Sequence, residues 1–439
     1  KLLPERIIQS GYRSHLLRKI TAEVAFKHKV NLKDGDAGVV VEQLKRFGIN
    51  PTEYDPWKQD VLALYEKGLR DENCVDLSDL VLRYLKRLAD GTIEPFRADF
   101  LHVDEYQDTD AGQLDFVLRH ANSGCVTTIV ADDDQAIYSF RASLGYQGVL
   151  QFEEQLNARR IILTTNYRSR AEIVESANAL VAKNVGMRIE KHVHAERGQG
   201  GKVQVIGFAK REDEAAHVRM VLQANPYAGW AVIARNNADL ILLQMELIVH
   251  GVPFVRLGPG LGDGEITAAF LSLLRASTQR PLNEQAIEYF LCALGAPMAD
   301  AALLLAQESG ALTDAVKSLR THLGHPSRRS EKSDMDSWLA SVGVIAEQML
   351  ASVNALYNPS PKAMMRRATQ LDFVTNSLLR LNGSLLQRLA LIEKGSNGDE
   401  PSVSDRRAVL LTAHASKGME FPKVWIVQVS EGTLPSSES

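Results

Sequence analysis

The stretch that decides the fold class is FLHVDEYQDT, residues 100–109. Four mostly apolar residues run directly into a cluster of polar ones, which is typical of a strand that is buried in a parallel sheet and ends at its carboxyl edge. Ligands of open α/β sheets bind beyond that edge. The stretch therefore predicts a parallel strand with a polar site at its end.

Two further runs repeat this pattern. Residues 126–130 lead into Asp132, and residues 161–163 lead into Thr164. Helical periodicity follows these runs, as expected for parallel strands that are joined by crossover helices. The sequence from residue 99 onward is therefore predicted to be α/β.

The same alternation extends further along the chain. Strand-like runs occupy 203–208, 231–234, 253–257, 409–411 and 424–427, and helical patterns occupy 212–223 and 237–250. Residues 1–98 and 271–392 instead have mostly helical patterns, and 395–402 has the composition of a linker. The economical interpretation is two α/β cores, the second interrupted by helices.

Two adjacent carboxylates, Asp104 and Glu105, stand where the first predicted strand ends. A carboxylate at this place can hold Mg²⁺, and its neighbour can orient and deprotonate a water molecule that attacks a phosphate. An isolated Asp-Glu pair is usually part of a solvated turn. The full string after an apolar strand favours the functional interpretation.

The second predicted strand ends in ADDDQAIYSFR, residues 131–141. Gln135 would lie beside the carboxylates of the first strand, where its amide can contact a γ-phosphate. Tyr138, Phe140 and Arg141 would present two rings and a cation to single-stranded nucleic acid, because bases stack on aromatic side chains. The alternative for both rings is burial in the core.

The third predicted strand ends in TTNYRSR, residues 164–170, before a predicted helix at 171–183. An arginine at this place can reach across a cleft to a phosphate, as arginine fingers do, and Arg168 is the candidate. Taken alone, the same residues can equally cap the helix.

The last polar block is TAHASKGMEF, residues 412–421, which does not have the GxxxxGK[ST] spacing of a phosphate-binding P-loop. That spacing is absent from all 439 residues, and the nearest string, GGKV at 200–203, lacks the first glycine and the hydroxyl. Little in these residues is therefore predicted to cradle the β- and γ-phosphates of a nucleotide.

Composition and charge restrict the class of protein. The chain is 45% hydrophobic and 24% charged, which is ordinary for a globular protein and excludes a disordered, collagen-like or coiled-coil chain. No apolar run predicts a membrane anchor, and three separated cysteines predict neither a metal site nor a disulfide framework, which suits the cytoplasm. The net charge is −4, so nucleic-acid binding would depend on local patches such as the basic residues within 1–30.

Four blocks, in this order, resemble the motifs of superfamily 1 DNA helicases of the UvrD/Rep/PcrA type. Residues 104–109 resemble the Walker B box, 132–141 motif III, 166–169 motif IV and 414–421 motif V. The family has Gly, Gly-Ala and Leu where this chain has Ala131, Ala142-Ser143 and Met419. The family's Walker A segment and motif Ia would precede the matched region, and motif VI would follow it.

The resemblance implies an α/β fold with two RecA-like parallel-sheet cores of the P-loop NTPase type and helical insertions. It places a partial helical insertion of the first core at 1–98 and a partial first core without a P-loop at 99–163. It places the second core at 164–270 and, truncated, at 406–439, with its helical insertion at 271–405. This second insertion is shortened and lacks the family's glycine-rich loop that contacts duplex DNA.

The resemblance also implies ATP and Mg²⁺ as cofactors. Asp104 would bind Mg²⁺, with Glu105 beside it as the residue that activates water, and Gln135 and Arg168 would contact the γ-phosphate. Tyr167 would stack on the adenine. Glu420 is similar to the family residue near the nucleotide ribose.

Single-stranded DNA and single-strand/duplex junctions are the implied substrates, with repair or replication proteins as partners and no membrane association. Four residues would contact the single strand: Tyr138, Phe140, Arg141 and His414. The implied activity is ATP-dependent translocation and unwinding, 3′ to 5′, in repair, replication or recombination.

Two alternatives stay open. A non-catalytic, helicase-like module that binds DNA or a protein fits the missing P-loop spacing. Four chemically demanding residues that such a module has no need to keep argue against it: Asp104, Glu105, Gln135 and Arg168. The motor part of a helicase–nuclease complex is the other alternative. Because the chain starts at Lys1 and stops soon after the strand at 424–427, we expect the central portion of a longer helicase, with weak DNA binding and poor ATP turnover by itself.

Overall fold

The computed structural model has two compact units, Lys1–Val205 and Ile206–Ser439. The part of the chain that it describes comprises residues 6–8, 10–30, 32, 36–46, 55–138, 143–184, 186, 188–226, 228–279, 281–324, 332–396 and 407–435. Strands pair in parallel throughout these residues, and most of the remaining elements are helices. The architecture is therefore mixed α/β.

The first unit begins with four helices, α1 (Ser10–His28), α2 (Asp36–Arg46), α3 (Pro56–Asp71) and α4 (Leu77–Ala89). The first three pack around a core that includes Ile20, Val24, Val41, Val61 and Tyr65. A two-stranded parallel sheet, β1 (Arg6–Ile7) with β2 (Cys74–Val75), accompanies them. The helical character predicted for residues 1–98 is present in their described part.

The next sheet carries the first candidate site. Strands β3 (Phe100–Val103) and β4 (Val126–Ile129) are parallel, with Phe100 opposite Val126 and Val103 opposite Ile129. Helix α5 (Ala111–Asn122) connects them, and α6 (Gly145–Leu156) follows β4. The strands predicted at 100–103 and 126–130 are therefore confirmed to within one residue.

The prediction that these two strands are buried is wrong. Burial alternates along both, and on one face Phe100 is 64% exposed and Val126 59% exposed. The opposite face, with Leu101, Val103 and Ile129, packs against the core that α5 and α6 form. A parallel sheet is buried on both faces only when elements cover both, and in the described residues only this face has such a core.

Two predicted strands are also wrong. Residues 161–163 and 203–208 are not in strands, and Val205 is 97% exposed. The strand in this region is β5 (Thr165–Asn166), which pairs with β6 (His194–Ala195) and precedes α7 (Ala171–Val181). A β-branched run forms a strand only where a neighbour pairs with its backbone, and the described chain supplies no such neighbour here.

The second unit contains a four-stranded parallel sheet in the order β10-β7-β9-β8. The strands are β7 (Trp230–Ala234), β8 (Phe254–Arg256), β9 (Ala408–Thr412) and β10 (Lys423–Ile426). Helices α8 (Arg211–Ala224) and α9 (Ile241–Val249) pack on it. The strands and helices predicted for these segments are confirmed, and the two central strands β7 and β9 are mostly buried.

A helical layer lies between β8 and β9 in the sequence. Its members are α10 (Glu265–Ala276), α11 (Glu284–Leu294), α12 (Met298–Leu305), α13 (Ala311–Leu323), α14 (Lys332–Tyr357), α15 (Pro361–Arg380) and α16 (Leu385–Ser396). Helix α14 is long and apolar enough to cross a membrane, but ten of its residues are buried, and Trp338 and Val342 among them pack in the core of this layer. It is therefore a core helix.

Candidate functional site

Asp104 and Glu105 lie at the carboxyl end of β3, where the chain turns sharply. Glu105 has φ 50° and ψ 39°, in the left-handed region that side chains other than glycine rarely adopt. Its backbone N–H donates to the Asp104 carboxylate at 2.9 Å. Both side chains are exposed at this edge of the sheet, so both carboxylates are accessible to a ligand.

Gln107 connects this turn to the next strand. It is fully buried; its amide nitrogen donates to the Glu105 carboxylate at 2.5 Å, and its amide oxygen accepts from the backbone N–H of Asp132 at 3.0 Å. The backbone N–H of Tyr106 also donates to the carbonyl oxygen of Val130 at 2.9 Å. The ends of β3 and β4 are thus fixed to each other, and Gln107 orients Glu105.

Gln135 lies at the end of the one-turn helix Asp133–Gln135 that follows β4. Its amide nitrogen donates to the Asp132 carboxylate at 2.6 Å, and the side chain is exposed. A continuous chain of hydrogen bonds therefore runs from Glu105 through Gln107 and Asp132 to Gln135. The structure brings Gln135 and the two carboxylates to one edge of one sheet.

Three consecutive aspartates, Asp132, Asp133 and Asp134, form an acidic cluster beside Gln135. The ammonium group of Lys191 contacts all three, and lies 3.0 Å from Asp132 and 3.1 Å from Asp134. Burial lowers the pKa of Lys191, but the hydrogen bonds that its ammonium group donates to the carboxylates more than offset this and raise it. The ammonium group of Lys191 thus occupies the place between the carboxylates that a metal ion would need.

Arg168 lies in the turn after β5. The Asn166 side-chain oxygen accepts from the backbone N–H groups of Arg168 and Ser169, at 3.0 and 2.8 Å, and this fixes the turn. The guanidinium of Arg197 donates to the carbonyl oxygen of Arg168 at 2.7 Å. The side chains of Arg168 and Tyr167 are both exposed, Tyr167 to 72%. Asn166 thus serves the turn rather than a distant ligand.

The glycine pair that most resembled a P-loop in the sequence binds a carboxylate instead. The backbone N–H groups of Gly200 and Gly201 donate to Glu172 at 2.9 and 2.7 Å. These hydrogen bonds lower the pKa of Glu172. A Cβ atom at Gly201 would lie 2.8 Å from the Cβ atom of Arg170, so this close approach requires glycine.

Of the residues predicted to contact single-stranded DNA in the first unit, Tyr138 is described and half-buried. Phe140 and Arg141 lie outside the described residues.

The remaining candidates lie in the second unit, after β9. Residues 413–418 form turns, and the backbone N–H of Ala413 donates to the carbonyl oxygen of Ala234 at 2.9 Å. The ring Nδ1 of His414 lies 3.3 Å from the guanidinium of Arg235, and Glu420 is exposed. His414 is thus placed at the carboxyl ends of β7 and β9, beside an arginine that the sequence analysis did not select.

Sequence reasoning missed Gln107, Arg188, Lys191 and Arg197 as site residues. Gln107 stands inside the quoted DEYQD string, so a buried amide there was open to prediction. The three cations lie more than 25 residues from the groups that they contact. No spacing rule connects residues so far apart in the sequence.

Two family models match this chain. Residues 13–157 match the UvrD/REP helicase N-terminal domain. Residues 161–260 and 348–439 match the UvrD-like helicase C-terminal domain.

Curated relatives are similar over most of this chain. The ATP-dependent DNA helicase Rep of Escherichia coli is 29% identical over 424 residues, 86% of this chain and 62% of the relative. Rep of Salmonella typhimurium is 28% identical, with the same two coverages. The ATP-dependent DNA helicase PcrA of Leuconostoc citreum is 26% identical, over 87% of this chain and 56% of the relative. Matching family domains and these relatives agree: the chain belongs to the UvrD/Rep helicase family.

Proposed function

We propose that this protein is an ATP-dependent DNA helicase that couples ATP hydrolysis to movement along single-stranded DNA, 3′ to 5′, and to duplex unwinding in repair, replication or recombination. The observation that carries the proposal is the hydrogen-bonded chain from Glu105 through Gln107 and Asp132 to Gln135. It connects a carboxylate and an amide at the carboxyl edge of one sheet, which supports a role for both in the hydrolysis of a terminal phosphate.

The residues at the end of β3 fit a magnesium ion by their chemistry. Mg²⁺ prefers carboxylate oxygens, and Asp104 and Glu105 are exposed there. Asp104 would hold the ion, which when bound neutralises charge on the phosphates. Glu105 orients the attacking water molecule and accepts its proton, while the N–H donated by Gln107 keeps the carboxylate in place.

The remaining roles follow the family resemblance. Gln135 and Arg168 contact the γ-phosphate, Tyr167 stacks on the adenine, and Glu420 lies near the ribose. Four residues contact single-stranded DNA: Tyr138, Phe140, Arg141 and His414. Because the 439 residues contain no P-loop spacing, we expect slow ATP turnover from these residues alone.

The proposed domain organisation is two RecA-like cores with helical insertions. The first core is assigned to 99–163 with its insertion at 1–98. The second is assigned to 164–270 and 406–439 with its insertion at 271–405. The proposal also includes single-stranded DNA and single-strand/duplex junctions as substrates, repair or replication proteins as partners, and action in the cytoplasm.

ATP hydrolysis by the purified protein, with and without a single-stranded oligonucleotide, tests the proposal. Stimulation by the oligonucleotide is the expected result. DNA binding should weaken as the salt concentration rises, because contacts to phosphates release counterions. DNA binding that does not respond to salt, together with ATP hydrolysis that does not respond to DNA, would contradict a helicase function.

A non-catalytic, helicase-like binding module is the second candidate, and the missing P-loop spacing favours it. Such a module has no need of a carboxylate that activates water. The two candidates therefore differ in ATP hydrolysis, which loss of Glu105 lowers in a helicase and which a non-catalytic module does not have.

A further inference from the structure

Residues 188–197 form one short segment, with β6 near its end, that is attached at both ends. At the first end, the Arg188 guanidinium donates to both oxygens of Asp134, at 2.9 and 2.8 Å. The backbone N–H of Ile189 donates to Asp133 at 2.6 Å, and Lys191 contacts the same carboxylate. The Asp133 side chain is only 2% exposed. These contacts hold the loop that leads to Gln135.

The second end holds the loop that carries Arg168. Strand β6 of the segment pairs with β5, and the backbone N–H of Glu196 donates to the carbonyl oxygen of Asn166 at 2.9 Å. The guanidinium of Arg197 donates to the carbonyl oxygen of Arg168 itself at 2.7 Å. The two ends of one short segment thus contact the loops that carry Gln135 and Arg168, the proposed γ-phosphate ligands.

The connection between the two attached ends of this segment is short. Only three peptide steps separate Lys191 from His194, and an extended chain spans at most about 3.6 Å per residue, so their Cα atoms lie within about 11 Å. The amide of Asn178, on α7, donates to the carbonyl oxygen of Val193 at 2.7 Å and fixes the middle of this connection. The two attached ends are therefore close together in the chain, and the connection between them is itself held in place.

The alternative to this interpretation is that the acidic cluster binds a metal ion. Lys191 lies between its three carboxylates, and Arg188 adds a bidentate contact to one of them. Charge-assisted, bidentate pairs of this kind are strong and directional. The cluster thus serves as an attachment point for two cations.

We propose that residues 188–197, here called the brace, set the position of Gln135 relative to Arg168, with Lys191 and Arg188 as positioning residues. The inference rests on the proposed function, in which Gln135 and Arg168 contact the same γ-phosphate. Hydrolysis is sensitive to such alignment, because a misplacement of about 1 Å can cost about a hundredfold in rate.

The first test is Lys191→Met, which removes the charge but keeps much of the length. We expect kcat for DNA-stimulated ATP hydrolysis to fall about tenfold or more with KM for ATP nearly unchanged. The exposed Lys183 provides the matched control, Lys183→Met, with unchanged kinetics. In an Arg168→Ala background, Lys191→Met should cost far less, since both changes act on one contact. Fully additive effects would overturn the proposal.

The second test does not depend on ATP. Hydrogen exchange in the nucleotide-free protein should become faster at both 132–137 and 164–169 in Lys191→Met, and stay unchanged in α3. Faster exchange confined to 132–137 would refute the brace. Faster exchange in both loops of a protein without ATPase activity would keep the brace and reject the proposed function. Arg188→Gln, at the more exposed contact, replaces Lys191→Met if that variant does not fold.

Discussion

The side-chain oxygen of Gln107 accepts a hydrogen bond from the backbone N–H of Asp132, with the two atoms 3.0 Å apart. This single contact joins the carboxyl ends of β3 and β4. Because the other end of the same amide donates to Glu105, the position of that carboxylate depends on the neighbouring strand. A fully buried amide with both of its functional ends paired is a strong constraint.

Replacing this amide should cost both stability and activity. Gln107→Leu has a similar volume but leaves the N–H of Asp132 without its acceptor, so we expect a loss of about 1–3 kcal/mol in the free energy of unfolding. ATP hydrolysis should fall as well, because Glu105 loses its donor. Urea denaturation and ATPase rates measure the two effects. The exposed Gln155 supplies the control, and equal effects of Gln107→Leu and Gln155→Leu would contradict the assigned role.

Glu105→Gln tests the water-activating role directly. The amide keeps the size of the side chain but cannot accept the proton, so we expect DNA-stimulated ATP hydrolysis to fall by about 10²–10⁴-fold. DNA binding should be retained. The exposed Glu154 on α6 gives the matched control, Glu154→Gln, with normal hydrolysis. Normal hydrolysis by Glu105→Gln would remove this residue from the proposed mechanism.

Much of the local structure was open to prediction. The end of an apolar run at Asp104 located β3, and the Asp-Glu string located the exposed carboxylates. What the pattern could not predict was the exposure of Phe100, because burial of a sheet face depends on which elements cover it.

Long-range contacts explain the other differences. Residues 161–163 have strand propensity, yet the residues that pair with β6 and form the strand are Thr165–Asn166. Propensity over three residues carries too little free energy to decide between such registers. Lys191 likewise meets Asp133 only because the chain returns 58 residues later. The Glu105 backbone conformation, with its positive φ, is imposed by its surroundings and has no signal in the sequence.

Tyr106→Phe, unlike Gln107→Leu, is not expected to lower the free energy of unfolding. The Tyr106 hydroxyl is buried and has no hydrogen-bond partner among the described residues. Burial also raises its pKa. We expect Tyr106→Phe to leave the free energy of unfolding unchanged or to increase it by up to about 1 kcal/mol, since the variant removes an unpaired polar group. Thermal or urea unfolding measures the change.

The equally buried Tyr65 is the comparison for that variant. Its hydroxyl accepts from the Arg13 guanidinium at 3.1 Å. Tyr65→Phe should therefore lower the free energy of unfolding by about 1–2 kcal/mol. A larger loss for Tyr106→Phe than for Tyr65→Phe would show that the Tyr106 hydroxyl has a partner.

Asp336 should be important for the stability of the second unit. It lies 2.5 Å from the guanidinium of Arg388, whose side chain is fully buried and also donates to the carbonyl oxygens of Leu378 and Gly383. Asp336→Ala leaves that charge unpaired and should cost about 3–5 kcal/mol. Arg388→Met, which removes the charge itself, should cost less. The reverse order in urea denaturation would contradict this account.

The brace should weaken in acid. Burial raises the pKa of Asp134, but hydrogen bonds from Arg188 and Lys191 more than offset this, so its pKa in the folded state is lowered. An unfolded aspartate titrates near pH 3.9. A lowered folded-state pKa contributes stability that is fully present above that value and is lost as the pH falls through the folded-state pKa. The unfolding free energies of the wild type and Asp134→Asn should thus differ by about 1–3 kcal/mol at pH 5–7 and begin to converge as the pH falls below about 4. Asp71→Asn, at an exposed site on α3, is the control. A difference for Asp134→Asn that persists unchanged at pH 3 would show that the carboxylate does not hold the brace through its charge.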